Sequence, residues 1–326
     1  MALNWGIVGL GKIAGKFVTD LSLLNGQRIV AVASRSHDKA KEFLSTHNLN
    51  GNAYGSYQAL FNDPNVDIIY IATPHHLHCQ LSIQAMECGK HVLCEKPLGV
   101  NRSEVKKIVE TSHQTKRFMM EALWSRFNPS IIKVKSLIDA GEIGEVSYIN
   151  ADFCHLMLKD ENSRLFNPEL AGGALLDIGI YPVFLAYLIL GMPQTITANG
   201  NMFRTGVDTQ TSMAFKYKNA MATLFSSFES FSDMVAKIYG TKGNIYINKR
   251  WHEADGFVIE KDGEKNMTDL PIVGKGYTYE IQECDYQIAK GNIESNLWSH
   301  KNSLELVSLL DEIRNQIGLV FPFEKQ

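Results

Sequence analysis

The sequence predicts an α/β protein with an N-terminal doubly wound parallel sheet and a C-terminal α+β domain whose large sheet is mostly antiparallel. Three observations support this fold class. A glycine-rich turn follows the first apolar run, and strand-like and helix-like segments then alternate to about residue 122. Beyond it, runs rich in Thr, Phe, Tyr and Met are joined by turn signals. We therefore place the two domains at residues 1–122 and 123–326.

The first strand and its turn have the pattern of a dinucleotide site. Asn4–Val8 is apolar, and a helix-like pattern begins just after it. The segment between them is Gly9-Leu10-Gly11-Lys12-Ile13-Ala14. In G-x-G-x-x-A the first glycine makes the turn, the second lets backbone approach a pyrophosphate, and the small third residue allows close helix packing. This context favours dinucleotide binding over the alternative, an incidental glycine turn.

The end of the second strand bears on the choice of cofactor. The strand Arg28–Ala33 is followed by Ser34 and Arg35, where an NAD-binding protein would offer an acid to the ribose 2′-hydroxyl. A guanidinium and a hydroxyl suit a 2′-phosphate instead. We expect NADP, with NAD as the less favoured cofactor; the alternative for Arg35 is a solvated residue at a helix start.

Two further turns should face the same crevice, because ligands bind outside the carboxyl ends of parallel strands. Strands are predicted at Asp67–Ala72, His91–Cys94 and Phe118–Met120, with helices at about Leu77–Cys88 and Ser103–Lys116. The third strand leads into Thr73-Pro74-His75-His76-Leu77-His78, and the fourth into Glu95-Lys96-Pro97. A metal site at the histidines is not expected, since no acidic or cysteine ligands accompany them.

The second domain is predicted from alternating runs and their turns. Helices are expected at Pro129–Ala140, Leu175–Leu190, Glu280–Ala289 and Asn302–Ile317, and strands at Thr195–Phe203, Gln210–Lys218, Ala220–Phe228, Met234–Tyr239 and Asn244–Asn248. The segment 172–182 places Asp177 and Tyr181 four residues apart, on one face of a helix. A carboxylate in so apolar a helix needs a cation. Its alternative role is a salt bridge or cap, with Tyr181 in the core.

The composition of the chain indicates which kinds of binding partner to expect. The 326 residues are 45% hydrophobic and 21% charged, with 32 basic and 35 acidic residues and a formal charge of −3. Such a balance does not indicate binding to nucleic acid or an anionic membrane, so a small molecule is expected. Five cysteines without C-x-x-C spacing, and no basic region before the first apolar run, suit the cytoplasm. The apolar run Ile178–Met192 contains Pro182 and is interpreted as a buried helix.

Taken together, these motifs resemble the glucose–fructose oxidoreductase / inositol dehydrogenase (Gfo/Idh/MocA) family. The resemblance rests on the glycine turn, Thr73-Pro74 with His78, Glu95-Lys96-Pro97 and the segment Gly172–Tyr181. The run Met120-Glu121-Ala122-Leu123-Trp124-Ser125-Arg126-Phe127, and a tyrosine where many members have histidine, resemble the branch of dimeric dihydrodiol and D-xylose dehydrogenases.

The resemblance implies a Rossmann domain followed by a domain whose open sheet lies against a second subunit, and a cis Lys96-Pro97 bond. It implies that Lys96 and Tyr181 handle the proton of a substrate hydroxyl, while Asp177 holds Lys96. The resemblance and the turn positions together assign cofactor contacts to Gly9, Gly11, Lys12, Ile13, Ala14, Ser34, Arg35, Thr73, Pro74, His75, His78, Glu95, Lys96 and Arg126. A substrate wall is assigned to Trp124, with Phe153 and Trp251; the alternative for Phe153 and Trp251 is a place in the core.

The expected activity is NADP-dependent hydride transfer at a secondary alcohol of a sugar, polyol or trans-dihydrodiol. A free tyrosine, with a pKa near ~10, is a poor base at neutral pH, so a nearby ammonium should favour its phenolate. Two alternatives are a non-catalytic NADP sensor, which would not need the residues of a proton relay, and redox-neutral chemistry on a tightly held cofactor.

Overall fold

The computed structural model describes residues 3–324, which form two compact units. The first unit comprises the chain up to Trp124 together with Val273–Leu304. The second comprises Ser125–Ile272 and the chain from Glu305 onward. The linear division made from the sequence grouped residues 273–304 with the second domain, whereas this segment packs within the first unit.

The predicted strands and helices occur in the predicted order, and the structure adds further strands that were not predicted. The strands are β1 (Asn4–Val8), β2 (Arg28–Ala33), β3 (Asn52–Tyr54), β4 (Ile68–Ile71), β5 (His91–Glu95), β6 (Met119–Ala122), β7 (Val146–Cys154), β8 (Thr195–Met202), β9 (Asp208–Lys216), β10 (Met221–Ser227), β11 (Ala236–Gly240), β12 (Asn244–Ile247), β13 (Gly256–Lys261) and β14 (Glu264–Asp269). The helices are α1 (Lys12–Leu21), α2 (His37–Thr46), α3 (Tyr57–Phe61), α4 (His78–Glu87), α5 (Arg102–Thr115), α6 (Pro129–Asp139), α7 (Ile180–Leu190), α8 (Thr278–Ala289) and α9 (His300–Ile317).

The first sheet confirms the predicted doubly wound architecture. Its strand order is β3-β2-β1-β4-β5-β6, and every neighbouring pair is parallel. The order reverses between β1 and β4, the position at which such sheets bind dinucleotides. Strand β4 is buried on both faces, which explains its continuous apolar sequence. Strand β3 has three residues, too few to produce an alternating pattern in the sequence.

A buried carboxylate attaches residues 273–304 to the first unit. Asp20, in α1, accepts hydrogen bonds from the backbone N–H groups of Lys275 and Tyr277, at 2.8 and 2.9 Å. The Tyr277 ring then stacks on Trp124, with centroids 5.1 Å apart. These contacts are long-range in sequence, so composition and periodicity could not reveal them.

The second sheet confirms the predicted, mostly antiparallel architecture. Its order is β14-β13-β12-β11-β7-β10-β9-β8, and the parallel pair is β7 with β10. Strand β7, at the centre, was not predicted. Along β9 the alternate residues Thr211, Met213 and Phe215 are buried, whereas those between them are exposed. One face of this sheet therefore packs on the core and the other is open.

The predicted helix Leu175–Leu190 is divided into two parts. Leu175–Gly179 is a π-helical turn, and regular α7 begins at Ile180. Pro182 lies in the first turn of α7, where proline is tolerated, and it has no N–H to donate to Ile178, which disfavours one continuous α-helix over Leu175–Leu190. The segment Pro168–Leu190 is apolar enough to span a membrane by length and composition, but 78% of its most apolar window is buried inside the protein, as in a core helix.

Candidate active site

The turn after β1 is shaped to receive a phosphate. Gly9 has φ of +88°, and a Cβ there would lie 2.5 Å from the backbone of Ala72. A Cβ on Gly11 would meet nothing within 4 Å, so the backbone at the start of α1 can be approached closely. No side chain caps this helix end. Ala14 is fully buried against the sheet. The first-turn N–H groups of α1 thus suit a pyrophosphate, and the residues present fit a dinucleotide.

Lys12, Ile13, Ser34 and Arg35 lie around this turn and at the end of β2. Lys12 is exposed at the first position of α1, and Ile13 is 39% exposed. Arg35 is exposed just beyond β2, and the Ser34 hydroxyl accepts the N–H of Ser36 at 3.3 Å. An exposed guanidinium at this edge is compatible with an anionic ligand.

His78 joins the turns that follow β4 and β5. Its Nδ1 lies 2.8 Å from the carbonyl oxygen of Pro97, and its Nε2 lies 2.9 Å from that of Thr73. Both partners are acceptors, so each ring nitrogen meets a carbonyl oxygen. His78, which was predicted to contact the cofactor, is thus fully buried and lies between the two turns.

The other residues of the turn after β4 are also placed. Thr73 is buried, and its hydroxyl has no hydrogen-bond partner among the residues described. Pro74 precedes a 3₁₀ turn, His75–Leu77, and the His75 ring packs edge-on against His78 at 5.7 Å. A buried hydroxyl at the carboxyl end of a strand is a suitable group for a bound cofactor to pair with.

Glu95 is buried at the end of β5 and is bound from below. The Tyr70 hydroxyl donates to its Oε1 at 2.5 Å. Burial, and secondly the charge of Glu95, raise the pKa of Tyr70 well above its ordinary value. The phenol therefore keeps its proton and donates it in the hydrogen bond to Glu95. Glu95, which the sequence analysis assigned to the cofactor, is therefore bound by a residue of the sheet.

Glu121 fixes the chain just after the Lys96-Pro97 bond. Its Oε1 accepts the N–H of Leu98 at 3.0 Å, and its Oε2 accepts from the Trp298 indole at 3.1 Å and the Ser303 hydroxyl at 2.7 Å. Burial raises the pKa of Glu121. The peptide between Lys96 and Pro97 is cis, as the resemblance implied. The turn that contains Lys96 is thus held by buried hydrogen bonds with Glu121 and His78.

In the second unit, Asp177 has a cationic partner that the sequence did not identify. The Arg164 guanidinium lies 3.0 Å from Asp177 Oδ1, with side chains 39% and 15% exposed. Asp177 is in the π-helical turn, and Tyr181 is the second residue of α7. The expectation that Asp177 needs a cation is met within this unit by Arg164. Lys96 belongs to the first unit.

Tyr181 lies in an aromatic cluster with Phe153 and His252. The centroids of Phe153 and His252 are 4.2 Å apart and stacked, and those of Tyr181 lie 5.3 Å from Phe153 and 5.4 Å from His252. Tyr181 is 5% exposed. Phe153, predicted for the substrate wall, is therefore in contact with the candidate acid–base residue, and His252 is a neighbour that sequence reasoning missed.

Three other predicted residues, two assigned to the substrate wall and one to the cofactor, are buried. The Trp251 ring is fully buried and its indole N–H donates to the carbonyl of Asp152 at 2.8 Å, so in the second unit it is part of the core. Trp124 is buried on Tyr277 in the first unit. Arg126 is buried in the 3₁₀ turn after β6. Within residues 3–324, no group of His, Cys, Asp and Glu is arranged to hold a metal ion.

Two family models cover most of the chain. Residues 3–122 match the oxidoreductase family with an NAD-binding Rossmann fold, and residues 131–246 match the GFO/IDH/MocA C-terminal domain. The chain belongs to the GFO/IDH/MocA oxidoreductase family. The family predicted from the motifs is thereby confirmed.

Members of the GFO/IDH/MocA family match it over almost its whole length. A trans-1,2-dihydrobenzene-1,2-diol dehydrogenase from Mus musculus is 36% identical over 100% of both chains. A D-xylose 1-dehydrogenase (NADP(+)) from Hypocrea jecorina is 34% identical over 98% of this chain and 93% of its own. A 3-ketoreductase from Actinomadura kijaniata, solved with NADP and TDP-benzene, is 25% identical with a TM-score of 0.85, covering 97% and 98% of the two chains.

Proposed function

We propose that this protein is an NADP-dependent dehydrogenase that transfers a hydride between the nicotinamide and a secondary alcohol carbon of a trans-dihydrodiol or a sugar. One observation carries the proposal: end-to-end identity of 34–36% to a dihydrodiol dehydrogenase and to an NADP-dependent D-xylose dehydrogenase. Retention of Lys96, Asp177 and Tyr181 supports it, because a sensor or a structural relative has no need of a proton relay.

The proton is the part of the reaction that the protein must handle. A bound nicotinamide supplies the hydride acceptor. We assign Tyr181 as the group that takes the hydroxyl proton and Lys96 as the cation that favours its phenolate and bonds the substrate oxygen. Asp177 is proposed to orient Lys96 as well as to bind Arg164. When a ketone is reduced, the same groups return the proton.

Cofactor binding is assigned to the turns of the first unit. The start of α1 suits the pyrophosphate, Arg35 and Ser34 suit the ribose 2′-phosphate, and the turn after β4 suits the nicotinamide side. Arg126 is proposed to lie near the nicotinamide, with Trp124 and Phe153 beside the substrate. The buried indole of Trp251, which donates to the carbonyl of Asp152, would support the neighbouring Phe153.

A steady-state screen with NADP tests the activity. Trans-dihydrodiols, D-xylose and a set of polyols are supplied in turn, and formation of reduced nicotinamide is followed by absorbance. Steady NADP reduction with one of the dihydrodiols or aldoses is expected. No turnover with any of them, in a protein that binds NADPH, would support a sensor and contradict the proposal.

A matched pair of arginine variants tests the cofactor assignment. Arg35→Ala should weaken NADP by about 10- to 100-fold, the loss expected for charge-assisted bonds to a phosphate, with little effect on NAD. Arg28→Ala, at the opposite end of β2, should change neither affinity. Equal losses for NADP and NAD in Arg35→Ala would show that this arginine does not bind a 2′-phosphate.

The open face of the second sheet is proposed to bind a second copy of the chain. On it, the rings of Tyr148 and Tyr239 stack at 5.6 Å, and Met221 is 53% exposed. The resemblance to dimeric relatives supports this assignment. Sedimentation of wild type and of Ala214→Arg tests it, since a charge on this face should convert a dimer to a monomer. A monomeric wild type would contradict it.

A further inference from the structure

Asp208 binds the start of the helical segment that carries Asp177 and Tyr181. It is the first residue of β9 and is fully buried. Its Oδ2 accepts the N–H of Leu175 at 2.8 Å and the hydroxyl of Thr211 at 3.1 Å. Leu175 is the first residue of the π-helical turn, so this carboxylate satisfies one of the N–H groups that a helix start leaves open.

The same carboxylate leaves no room for a side chain at Gly173. Its φ is +118°, and a Cβ there would lie 2.3 Å from Asp208 Oδ1. At the preceding position, a Cβ on Gly172 would lie 2.6 Å from the carbonyl oxygen of Arg164. The two glycines of the family motif therefore allow the backbone to pass between Asp208 and the segment that begins at Arg164, where a side chain would not fit.

The same contacts extend to the functional side chains. The N–H of Gly173 donates to the carbonyl of Leu165 at 2.9 Å, so the glycine turn is tied to the residue next to Arg164. Arg164 in turn binds Asp177. At the far end of the π-helical turn, a Cβ on Gly179 would lie 2.8 Å from the buried hydroxyl of Ser226. The turn that presents Asp177 is thus closely packed at its far end, and Asp208 binds its beginning.

The surroundings of Asp208 also affect its pKa. Burial raises the pKa of Asp208 to about 6, opposed by the bonds from Leu175 and Thr211 and by the positive charge of Arg314 in α9. Arg314 also pairs with Asp311, at 3.4 Å, and with Glu324. The carboxylate therefore ionises within the pH range of an ordinary enzyme assay.

We propose that Asp208 is a positioning residue for the dehydrogenase reaction: its carboxylate fixes the Gly172-Gly173 turn and the first N–H of the π-helical turn, and so sets the place of Asp177 and Tyr181. This inference rests on the proposed function. Asp208 does not touch the reacting atoms; it acts through the backbone and through the Arg164 segment.

The test compares Asp208→Ala and Asp208→Asn with Asp233→Asn, an exposed aspartate of the same unit. Asp208→Ala removes both hydrogen bonds, so kcat should fall at least about tenfold, since misplacement of reacting groups by about 1 Å can cost a hundredfold. NADPH affinity should stay within about twofold, because the cofactor turns belong to the first unit. Asp208→Asn keeps an acceptor for Leu175 but has no charge, so its kcat at pH 8 should match that of the wild type below pH 6 and lie between those of the wild type and Asp208→Ala.

The pH profile is the readout that a merely structural role would not move. In the wild type kcat should contain an inflection near pH 6 as Asp208 ionises, and Asp208→Asn should lack it, whereas Asp233→Asn should keep it. A soluble Asp208→Ala with wild-type kcat would overturn the inference. If Asp208→Ala fails to fold, a wild-type pH profile in Asp208→Asn would overturn it equally.

Different variants test the positioning role of Asp208 and the proposed function, so the two can fail separately. A Tyr181→Phe variant with full turnover would defeat the proposed function itself. An inactive Tyr181→Phe beside unaffected Asp208 variants would defeat only the positioning role of Asp208.

Discussion

The Nδ1 atom of His78 lies 2.8 Å from the carbonyl oxygen of Pro97, so one buried imidazole connects the turn after β4 to the turn that contains Lys96. Its other nitrogen lies 2.9 Å from the carbonyl oxygen of Thr73. This side chain therefore contributes to the relative position of the two turns, both of which are proposed to contact the cofactor. We expect His78 to act on the proposed cofactor site by shaping it.

Replacing His78 should weaken cofactor binding. His78→Leu removes the imidazole that lies between two buried carbonyl oxygens. The loss of the one N–H that a neutral ring can donate leaves a buried carbonyl group without this partner, at a cost of about 1–3 kcal/mol. NADPH affinity, measured by quenching of tryptophan fluorescence, should fall about tenfold or more. His155→Leu, an exposed histidine of the second unit, should have wild-type affinity. Unchanged affinity in a folded His78→Leu would contradict the shaping role.

Asp20 should determine how firmly residues 273–304 are held. Asp20→Ala removes the acceptor for the N–H groups of Lys275 and Tyr277, and should lower the free energy of unfolding by at least about 2 kcal/mol. Amide exchange should rise first in residues 273–304. Asp20→Asn retains one acceptor oxygen and should lose less. Exchange that rises uniformly over the chain would contradict a local attachment.

Glu280 should make stability depend on pH. It lies in α8, is fully buried, and neither carboxylate oxygen has a hydrogen-bond partner within residues 3–324. Burial, and then the charges of Glu95 and Asp20, raise its pKa well above the ordinary value. The folded protein therefore keeps a proton that the unfolded chain releases, and stability contributed by this group falls as pH rises above the unfolded pKa.

Glu280→Gln should remove that dependence. Urea unfolding at pH 5 and pH 8 should show a variant that gains stability relative to wild type as the pH increases. Glu87→Gln, an exposed position of the same unit, should parallel wild type at both values. A stability difference that is equal at pH 5 and pH 8 would show that Glu280 does not hold an additional proton in the fold.

Arg164 should matter for catalysis more than for cofactor binding. Arg164→Met removes a cation that lies 3.0 Å from Asp177, and kcat/KM should fall by about three- to tenfold, since a hydrogen bond to a charged group contributes about 1.5–3 kcal/mol before its partial exposure is allowed for. Arg204→Met, whose side chain is 75% exposed in its pair with Glu161, is the matched control. Equal effects in both variants would contradict a specific role.

Sequence patterns predicted the elements that recur at regular spacing. The parallel sheet, the glycine turn and the Glu95-Lys96-Pro97 turn all follow from local runs. The apolar segment with Asp177 and Tyr181 was also predicted as helical, but not its division into a π-helical turn and α7. Strand β7 was missed although it is central, because its burial alternates irregularly and no turn signal marks it.

The partners of these elements could not be read from local patterns. The apolar neighbours of Asp177 showed that it needs a cation, but Arg164 lies 13 residues earlier, in a short 3₁₀ turn. His252 comes from a 3₁₀ turn 71 residues after Tyr181, and nothing in its local sequence indicates an aromatic cluster. The bond from Asp208 to Leu175 likewise spans 33 residues. Such contacts are determined by topology.

Single-turnover hydride transfer in Tyr181→Phe and Lys96→Met tests the central claim most directly. NADP and a dihydrodiol or aldose substrate are mixed with excess enzyme, and reduced nicotinamide is followed over time. Both variants should transfer hydride at least about a hundredfold more slowly, the usual contribution of a positioned proton-transfer group. Tyr181→Phe should retain NADPH affinity, and Tyr187→Phe, on the same helix, should react normally. Wild-type rates in both Tyr181→Phe and Lys96→Met would contradict the account.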